Sequence, residues 1–186
     1  MSKLLQYGGI VASVVLIAFG IGSVVMGFDG RARVHSDLKR EQIVGTPDSS
    51  IPNQLVDNGS KAEAFAKVMR KHTLEATDGQ TYAQMPRFMG KDGKPTSNEK
   101  LAAVDPKSGK PVDNPLRNLW VTSTALTTAL HTSYFAESVA TFAIVMGFGL
   151  LLSGIGFLVL TLRVLRRFSG ATEPKPARSG ELALSS

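Results

Sequence analysis

The chain has 186 residues, a formal net charge of +6 at neutral pH and no cysteine. Without cysteine there are no disulfides, no thiolate catalysis, no iron–sulfur clusters and no zinc sites built on thiolates. The basic excess does not favour nucleic acid as a partner, because residues 29–137 hold 15 basic against 13 acidic side chains, whereas nucleic-acid-binding domains are strongly basic.

The first predicted element is an uncharged apolar run from Leu4 to Phe28. A bilayer core about 30 Å thick needs about 20 helical residues, so the run predicts a transmembrane helix within residues 1–28. The absence of a small-x-small cleavage site favours an uncleaved anchor over a signal peptide. Small residues four apart predict helix packing, within the chain or between subunits; they are Gly9 with Ser13, and Ser23 with Gly27.

Residues 29–137 predict a helical domain between two membrane spans. The first helix is expected to continue out of the membrane as a stalk to about Val44, where Gly45-Thr46-Pro47 stops it. Ser60 and Glu63 have the spacing of a capping box, which predicts a helix over about Lys61–Glu75.

The segment before the last helix predicts short elements and turns. Thr81–Met89 is expected to form a short helix, and 97–104 another. The stretch 90–114 is rich in Gly, Pro, Lys and Asp, which predicts a mobile, exposed tip. Asn114 and Pro115 then have the residue types of an N-cap and a first helical position.

A single long helix is predicted from Pro115 to about Arg167. Its second half contains the other uncharged apolar run, Ser138 to Leu162, which predicts a transmembrane helix over 138–163. Gly149 and Ser153 predict helix packing in this span. The first half carries a stripe predicted to pack against the first stalk or another subunit, namely Leu119, Leu126, Leu130 and Tyr134. Trp120 is expected to pack in the extracytoplasmic domain.

A basic flank follows the second span. Arg163, Arg166 and Arg167 are expected to bind anionic lipid headgroups and to hold this end in the cytoplasm. The remainder of 164–186 predicts a disordered tail. Two spans then put both termini in the cytoplasm and residues 29–137 outside a plasma membrane.

Candidate chemistry is sparse. The histidines, His35, His72 and His131, form no metal-binding motif, although two stalks packed together would bring His35 near His131 for a metal or pH-sensing role. Glu137 at the outer edge of the second span suggests either an ordinary solvated carboxylate or an ion route. We find no nucleotide-binding, hydrolase or metal motif, so no catalytic residue and no cofactor are predicted.

Four stretches resemble a group of small two-span membrane proteins from actinobacteria: Tyr7–Gly27, Arg40–Asp48, Glu75–Met85 and Asn118–Gly147. The resemblance covers most of the chain outside the tip and tail, and it implies the two-span topology. Some members of the group carry an aromatic ring-opening dioxygenase label. This chain shows no arrangement of iron ligands, so the resemblance implies no catalytic residue.

The sequence therefore predicts a mostly α membrane protein, with two transmembrane helices extended into a helical extracytoplasmic stalk and a small helical insert. The expected function is a non-enzymatic scaffold or accessory subunit that self-associates or joins a larger membrane complex. The alternatives are an extracytoplasmic ligand sensor or transporter regulator, and a small homo-oligomeric channel.

Overall fold

The computed structural model describes residues 2–169 and, within them, the side chains of residues 7–164. The predicted disordered tail, from residue 170 onward, lies outside the described residues. The mostly α fold class is confirmed for the described part of the chain. In chain order its elements are α1 (Ser2–Arg40), α2 (Gly59–Ala76), β1 (Phe88–Met89), β2 (Pro95–Thr96) and α3 (Pro115–Ser169).

Helices α1 and α3 are both long and apolar enough to cross a membrane. The uninterrupted helix predicted to start at Pro115 is confirmed, because α3 runs from Pro115 to Ser169. Its start is fixed by Asn114, which is 1% exposed. The Asn114 Oδ1 accepts from the Leu116 N–H at 3.0 Å, and its Nδ2 donates to the Pro86 carbonyl at 2.9 Å.

The chain divides into two compact units, a two-helix unit (Met1–Val25 with Ile144–Ser186) and a middle unit (Met26–Ala143). In the two-helix unit the helices touch through glycine. A Cβ on Gly20 would lie 2.9 Å from the Gly147 carbonyl oxygen, and a Cβ on Gly147 would lie 2.8 Å from that of Gly20. Only glycine permits such an approach of two backbones.

The core of the middle unit joins all three helices and the loop after α1. Its buried side chains are Leu38 from α1, Ala62 and Ala66 from α2, Leu130 from α3, and Ile51 and Val56 from the loop. Since Ala62 and Ala66 are 0% exposed, α2 lies close against its neighbours. A small side chain at these positions lets helices approach, and a larger one would have no space.

Helix α2 begins two residues earlier than predicted, and the capping box is wrong. The N-cap is Asn58, whose side-chain Oδ1 accepts from the Lys61 N–H at 3.0 Å. Ser60 already lies inside the helix, which begins at Gly59. Asn58 and Ser60 are both of residue types that cap helices. The tertiary contacts of Gly59 favour the earlier start, with Asn58 as the cap.

The segments around α2 also differ from the predictions. Helix α1 ends at Arg40, before the expected Val44, and Gln42 has a φ of 51° that ends the helix. The helix predicted over Thr81–Met89 is wrong, because β1 occupies Phe88–Met89 and pairs antiparallel with β2.

The predicted exposed tip contains backbone pairing that the sequence analysis missed. Met89 donates its N–H to Val112, and Ala103 donates to Met89, at 2.9 and 2.8 Å. A 3₁₀ turn at Glu99–Leu101 occupies part of the helix predicted over 97–104. These hydrogen bonds connect different segments within the tip. The mobility of the tip stays a prediction.

Candidate functional site

Glu137 is the contact point of all three helices in the middle unit. Its side chain is 12% exposed, and its Oε1 accepts from the Arg31 Nε at 3.0 Å and from the His35 Nε2 at 2.8 Å. Its Oε2 accepts from the backbone N–H of Gly59 at the start of α2. One carboxylate from α3 thus binds two side chains of α1 and the first turn of α2.

Gly59 is required by this geometry. A Cβ at that position would lie 2.8 Å from Glu137 Oε2 and 2.9 Å from the Tyr134 Cα. The first turn of a helix has free N–H groups and partial positive charge, so a carboxylate is favourable there. Glycine lets the α2 terminus come close enough to α3 for its N–H to reach Glu137.

The environment of Glu137 favours its charged form. Burial raises the pKa of Glu137, but the hydrogen bonds from His35 and from the Gly59 N–H, with the charges of His35 and Arg31, outweigh burial and lower the pKa below 4.5. The carboxylate is therefore ionised at neutral pH. Its hydrogen bonds make it an internal anchor between the helices. This role differs from both predicted alternatives, an ordinary solvated carboxylate and part of an ion route.

A cavity of about 400 Å³ opens beside this anchor, lined by Arg31, Ser60, Tyr134, Glu137, Ser138 and Thr141. The hydroxyls of Ser138 and Thr141 donate to the carbonyls of Tyr134 and Glu137, both at 2.9 Å. Their hydrogens are therefore already used within α3. The charge in this cavity is balanced by the Arg31–Glu137 ion pair.

A sequence signal for this site exists. Between Arg117 and Arg163, Glu137 is the only Asp, Glu, Lys or Arg. A lone carboxylate in a long uncharged helix needs a partner wherever it is buried. The signal does not identify the partners, because Arg31 is 106 residues away and His35 is 102 residues away.

The three histidines have different surroundings. His35 binds Glu137, and His131 is exposed. His72 lies on α2 with its Nε2 2.8 Å from Asp48 Oδ2, and the Lys71 Nζ is 3.2 Å from the same oxygen. The hydrogen bond from His72, with that from Lys71, holds the pKa of Asp48 well below its usual range. Within the described residues no three His, Asp or Glu side chains are grouped to hold a metal ion.

The predicted helix-packing residues fall on different faces. Ser13 is 0% exposed and donates to the Gly9 carbonyl at 2.8 Å, and a Cβ on Gly9 would lie 2.7 Å from the Thr161 hydroxyl. Gly27 is buried and Ser23 is half-buried. Gly149 has no neighbour within 4 Å of a Cβ built on it, and Ser153 is exposed. Among the described residues, Gly149 and Ser153 therefore do not form the predicted packing contact.

The contact glycines of α3 are not the predicted pair. They are Gly147 and Gly154, and a Cβ on Gly154 would lie 2.8 Å from the Ile17 side chain. These two are seven residues apart, as are Ser13 and Gly20 on α1. A seven-residue spacing keeps one face of a helix in contact with a partner over several turns, and pairs of small residues four apart do not indicate it.

The predicted stripe of α3 is only partly buried. Leu130 is 2% exposed, whereas Leu119, Leu126 and Tyr134 are 43%, 41% and 39% exposed. The buried line runs instead through Trp120 and Ser123, which are both 8% exposed. The Ser123 hydroxyl is hydrogen-bonded to the Thr73 hydroxyl of α2, and this pairing lets a polar residue occupy the interface.

Trp120 is buried in the middle unit, and Arg70 lies over its ring at 5.4 Å. That this unit is extracytoplasmic stays a prediction. Of the basic flank, Arg163 is exposed. The side chains of Arg166 and Arg167 lie outside the described residues, so their contact with lipid headgroups stays a prediction.

Comparison with known proteins returns no relative. No protein-family model matches the chain, and neither the curated proteins nor the solved structures contain a significant match. The actinobacterial resemblance therefore stays a prediction.

Proposed function

We propose that this protein is a two-span membrane protein that acts as a non-enzymatic scaffold or accessory subunit. Residues 29–137 lie outside the plasma membrane and both termini lie in the cytoplasm. The observation that carries the proposal is the Glu137 anchor. It ties α1, α2 and α3 together immediately before the second apolar run, which gives a firmly held helical domain adjoining the proposed membrane span.

Exposed apolar side chains on α3 supply a surface for a protein partner. Leu119 and Leu126 line a cavity of about 330 Å³ together with Met69 and Ala76 of α2. Apolar surface left open beside a packed core marks interaction sites in many proteins. The partner in this proposal is another membrane protein, either a second copy or a different subunit.

The channel alternative gains no support from Glu137. A conducting carboxylate has to exchange ions with water, and this one accepts three hydrogen bonds from Arg31, His35 and Gly59.

Site-directed crosslinking tests the proposal, and the absence of native cysteine makes single-cysteine variants specific. Leu126→Cys places a photoreactive maleimide on the apolar surface, and Thr124→Cys is the matched control, since Thr124 is exposed on the same helix two residues away. In native membranes we expect one recurring adduct from position 126 and none from position 124. Equal adducts at both positions, or none at either, would count against partner binding by this surface.

The same two variants test the orientation. A membrane-impermeant maleimide added to intact cells labels a cysteine at 124 if residues 29–137 are outside. Labelling only after the membrane is opened would reverse the proposed topology.

A further inference from the structure

The start of α3 carries a third cavity, of about 160 Å³, lined by Tyr82, Arg87, Asp113, Arg117 and Asn118. We propose that this cavity binds an oxyanion, a carboxylate or phosphate group of a small soluble ligand, between the guanidinium groups of Arg87 and Arg117. The inference does not depend on the scaffold proposal, because none of these residues takes part in the Glu137 anchor or in the apolar surface of α3.

Both guanidinium groups lie against aromatic rings. The Arg117 Cζ is 4.0 Å from the centre of the Tyr82 ring, and the Arg87 Cζ is 4.9 Å from that of Phe88. Stacking covers a face of each guanidinium group and leaves the N–H groups in its plane free to donate. Arg117 is fixed further by donating to the Met85 carbonyl at 3.5 Å.

The backbone brings these side chains together and holds them. Asn114 donates its N–H to the Arg87 carbonyl at 2.9 Å, and Arg117 donates its N–H to the Asn114 carbonyl at 3.1 Å. Phe88 pairs with Asp113 in an isolated bridge. Two residues 30 positions apart in the chain are thus joined through Asn114, whose side chain also begins α3.

The charged side chains that line the cavity leave it with a net positive charge. Among the residues that the structure describes, neither Arg87 nor Arg117 forms an ion pair, and Asp113 forms none either. Two guanidinium groups therefore face one carboxylate. Guanidinium groups bind carboxylate and phosphate through paired hydrogen bonds, which gives the cavity a preference for an oxyanion over a halide.

The surroundings are also basic. Residues 87–117 hold seven Lys or Arg against four Asp or Glu, although residues 29–137 as a whole carry only two more basic than acidic side chains. A local positive field raises the concentration of anions near the cavity. The volume fits one acid group of a small ligand and is far too small for a folded partner.

The test measures anion-dependent thermal stabilisation of the full chain in detergent, with phosphate or malonate compared against chloride at equal ionic strength. We expect one of the two oxyanions to raise the unfolding midpoint more than chloride does, because a ligand that binds the folded state stabilises it. A response to phosphate alone or to malonate alone identifies the acid group. No response beyond that of chloride would overturn the proposal.

Variants locate the effect. Arg87→Gln and Arg117→Gln are each expected to weaken the oxyanion response about tenfold. Arg70→Gln is the matched control, since Arg70 also lies over an aromatic ring but does not line the cavity, and it should stay within about twofold. An equal loss in all three variants would mean a general electrostatic effect and would contradict the assignment.

Asp113→Asn makes the test independent of the stacked arginines. The Asp113 side chain makes no hydrogen bond or ion pair with the described residues, so its removal leaves the fold intact. Replacing the carboxylate removes repulsion and should tighten oxyanion binding about threefold. Unchanged or weaker binding in this variant would overturn the proposal even if the arginine variants fail to fold.

Discussion

Each of the two units of this protein is stabilised internally by a different kind of contact. In the two-helix unit, Gly20 and Gly147 bring two backbones together, and no charged side chain takes part in that contact. In the middle unit, a carboxylate of α3 binds an arginine and a histidine of α1 and a backbone N–H of α2, beside a core of Leu, Ile, Val and Ala side chains. In the two-helix unit, the close approach of the helices depends on glycines, which have no side chain to separate the backbones. In the middle unit, the contact between the helices depends on charged and hydrogen-bonding groups that attract each other.

The most damaging change should be one that forces the two helices of the two-helix unit apart. Gly147→Val places a side chain against the Gly20 backbone and should cost about 3 kcal/mol of unfolding free energy. Gly149→Val is the control, because nothing lies within 4 Å of its Cβ. Detergent-solubilised protein titrated with SDS gives both values. Equal damage from the two variants would mean that close approach is not what stabilises this unit.

Removal of the anchor charge should be the next largest effect. Glu137→Gln leaves Arg31 and His35 without their carboxylate and should cost about 2 kcal/mol of unfolding free energy. The control, Asp29→Asn, breaks the exposed Asp29–Arg33 pair, whose two side chains are 57% and 76% exposed, and should cost less than about 0.5 kcal/mol. Trp120, the only tryptophan, reports unfolding of the middle unit by fluorescence. A Glu137→Gln variant as stable as the control would contradict the anchor.

A smaller effect is expected at the start of α3. Asn114→Ala removes the cap and leaves the Pro86 carbonyl without its donor, so it should cost about 1 kcal/mol in the same fluorescence measurement. Asn98→Ala is the matched control, because Asn98 caps only a three-residue 3₁₀ turn and is exposed. If Asn98→Ala costs as much, the local cap rather than the tertiary hydrogen bond explains both losses.

The smallest effect is the pH dependence of the anchor. Because the pKa of Glu137 is lower in the folded state than its ordinary 4.5, the unfolded chain takes up the proton first as the pH falls. The stabilisation is therefore complete above the ordinary value and is lost as the pH falls through the folded value. The stability difference between wild type and Glu137→Gln should therefore shrink as the pH falls below about 4.5. A difference that is constant over this range would mean that the charge of Glu137 contributes nothing.

The sequence predicts the long helices well because their signals are local. Uninterrupted apolar runs and the Asn114–Pro115 pair were enough to predict α3 from its first residue. Local signals fail where two of them compete, as at α2, where Asn58 and Ser60 are both good caps. The contact of Gly59 with Glu137, 78 residues away, selects the earlier start, and no local pattern contains that contact.

The sites depend even more on distant partners. Glu137 is conspicuous in an uncharged helix, but the sequence does not say that Arg31, His35 and Gly59 surround it. Arg87 and Arg117 gave no signal at all, since two arginines in a charged segment are typical of a solvated surface. The two arginines reach one cavity because β1 pairs with its neighbouring loops. A helix was predicted where β1 lies, so this pairing was not expected.

The cap of α2 has a consequence for producing this protein. Asn58-Gly59-Ser60 is an acceptor sequence for N-linked glycosylation. The sugar would attach to Asn58 Nδ2, which donates to Asp57 at 3.0 Å while Oδ1 of the same side chain accepts from Lys61. Expression through a eukaryotic secretory pathway would therefore place a glycan on the residue that starts α2, next to the glycine that reaches Glu137.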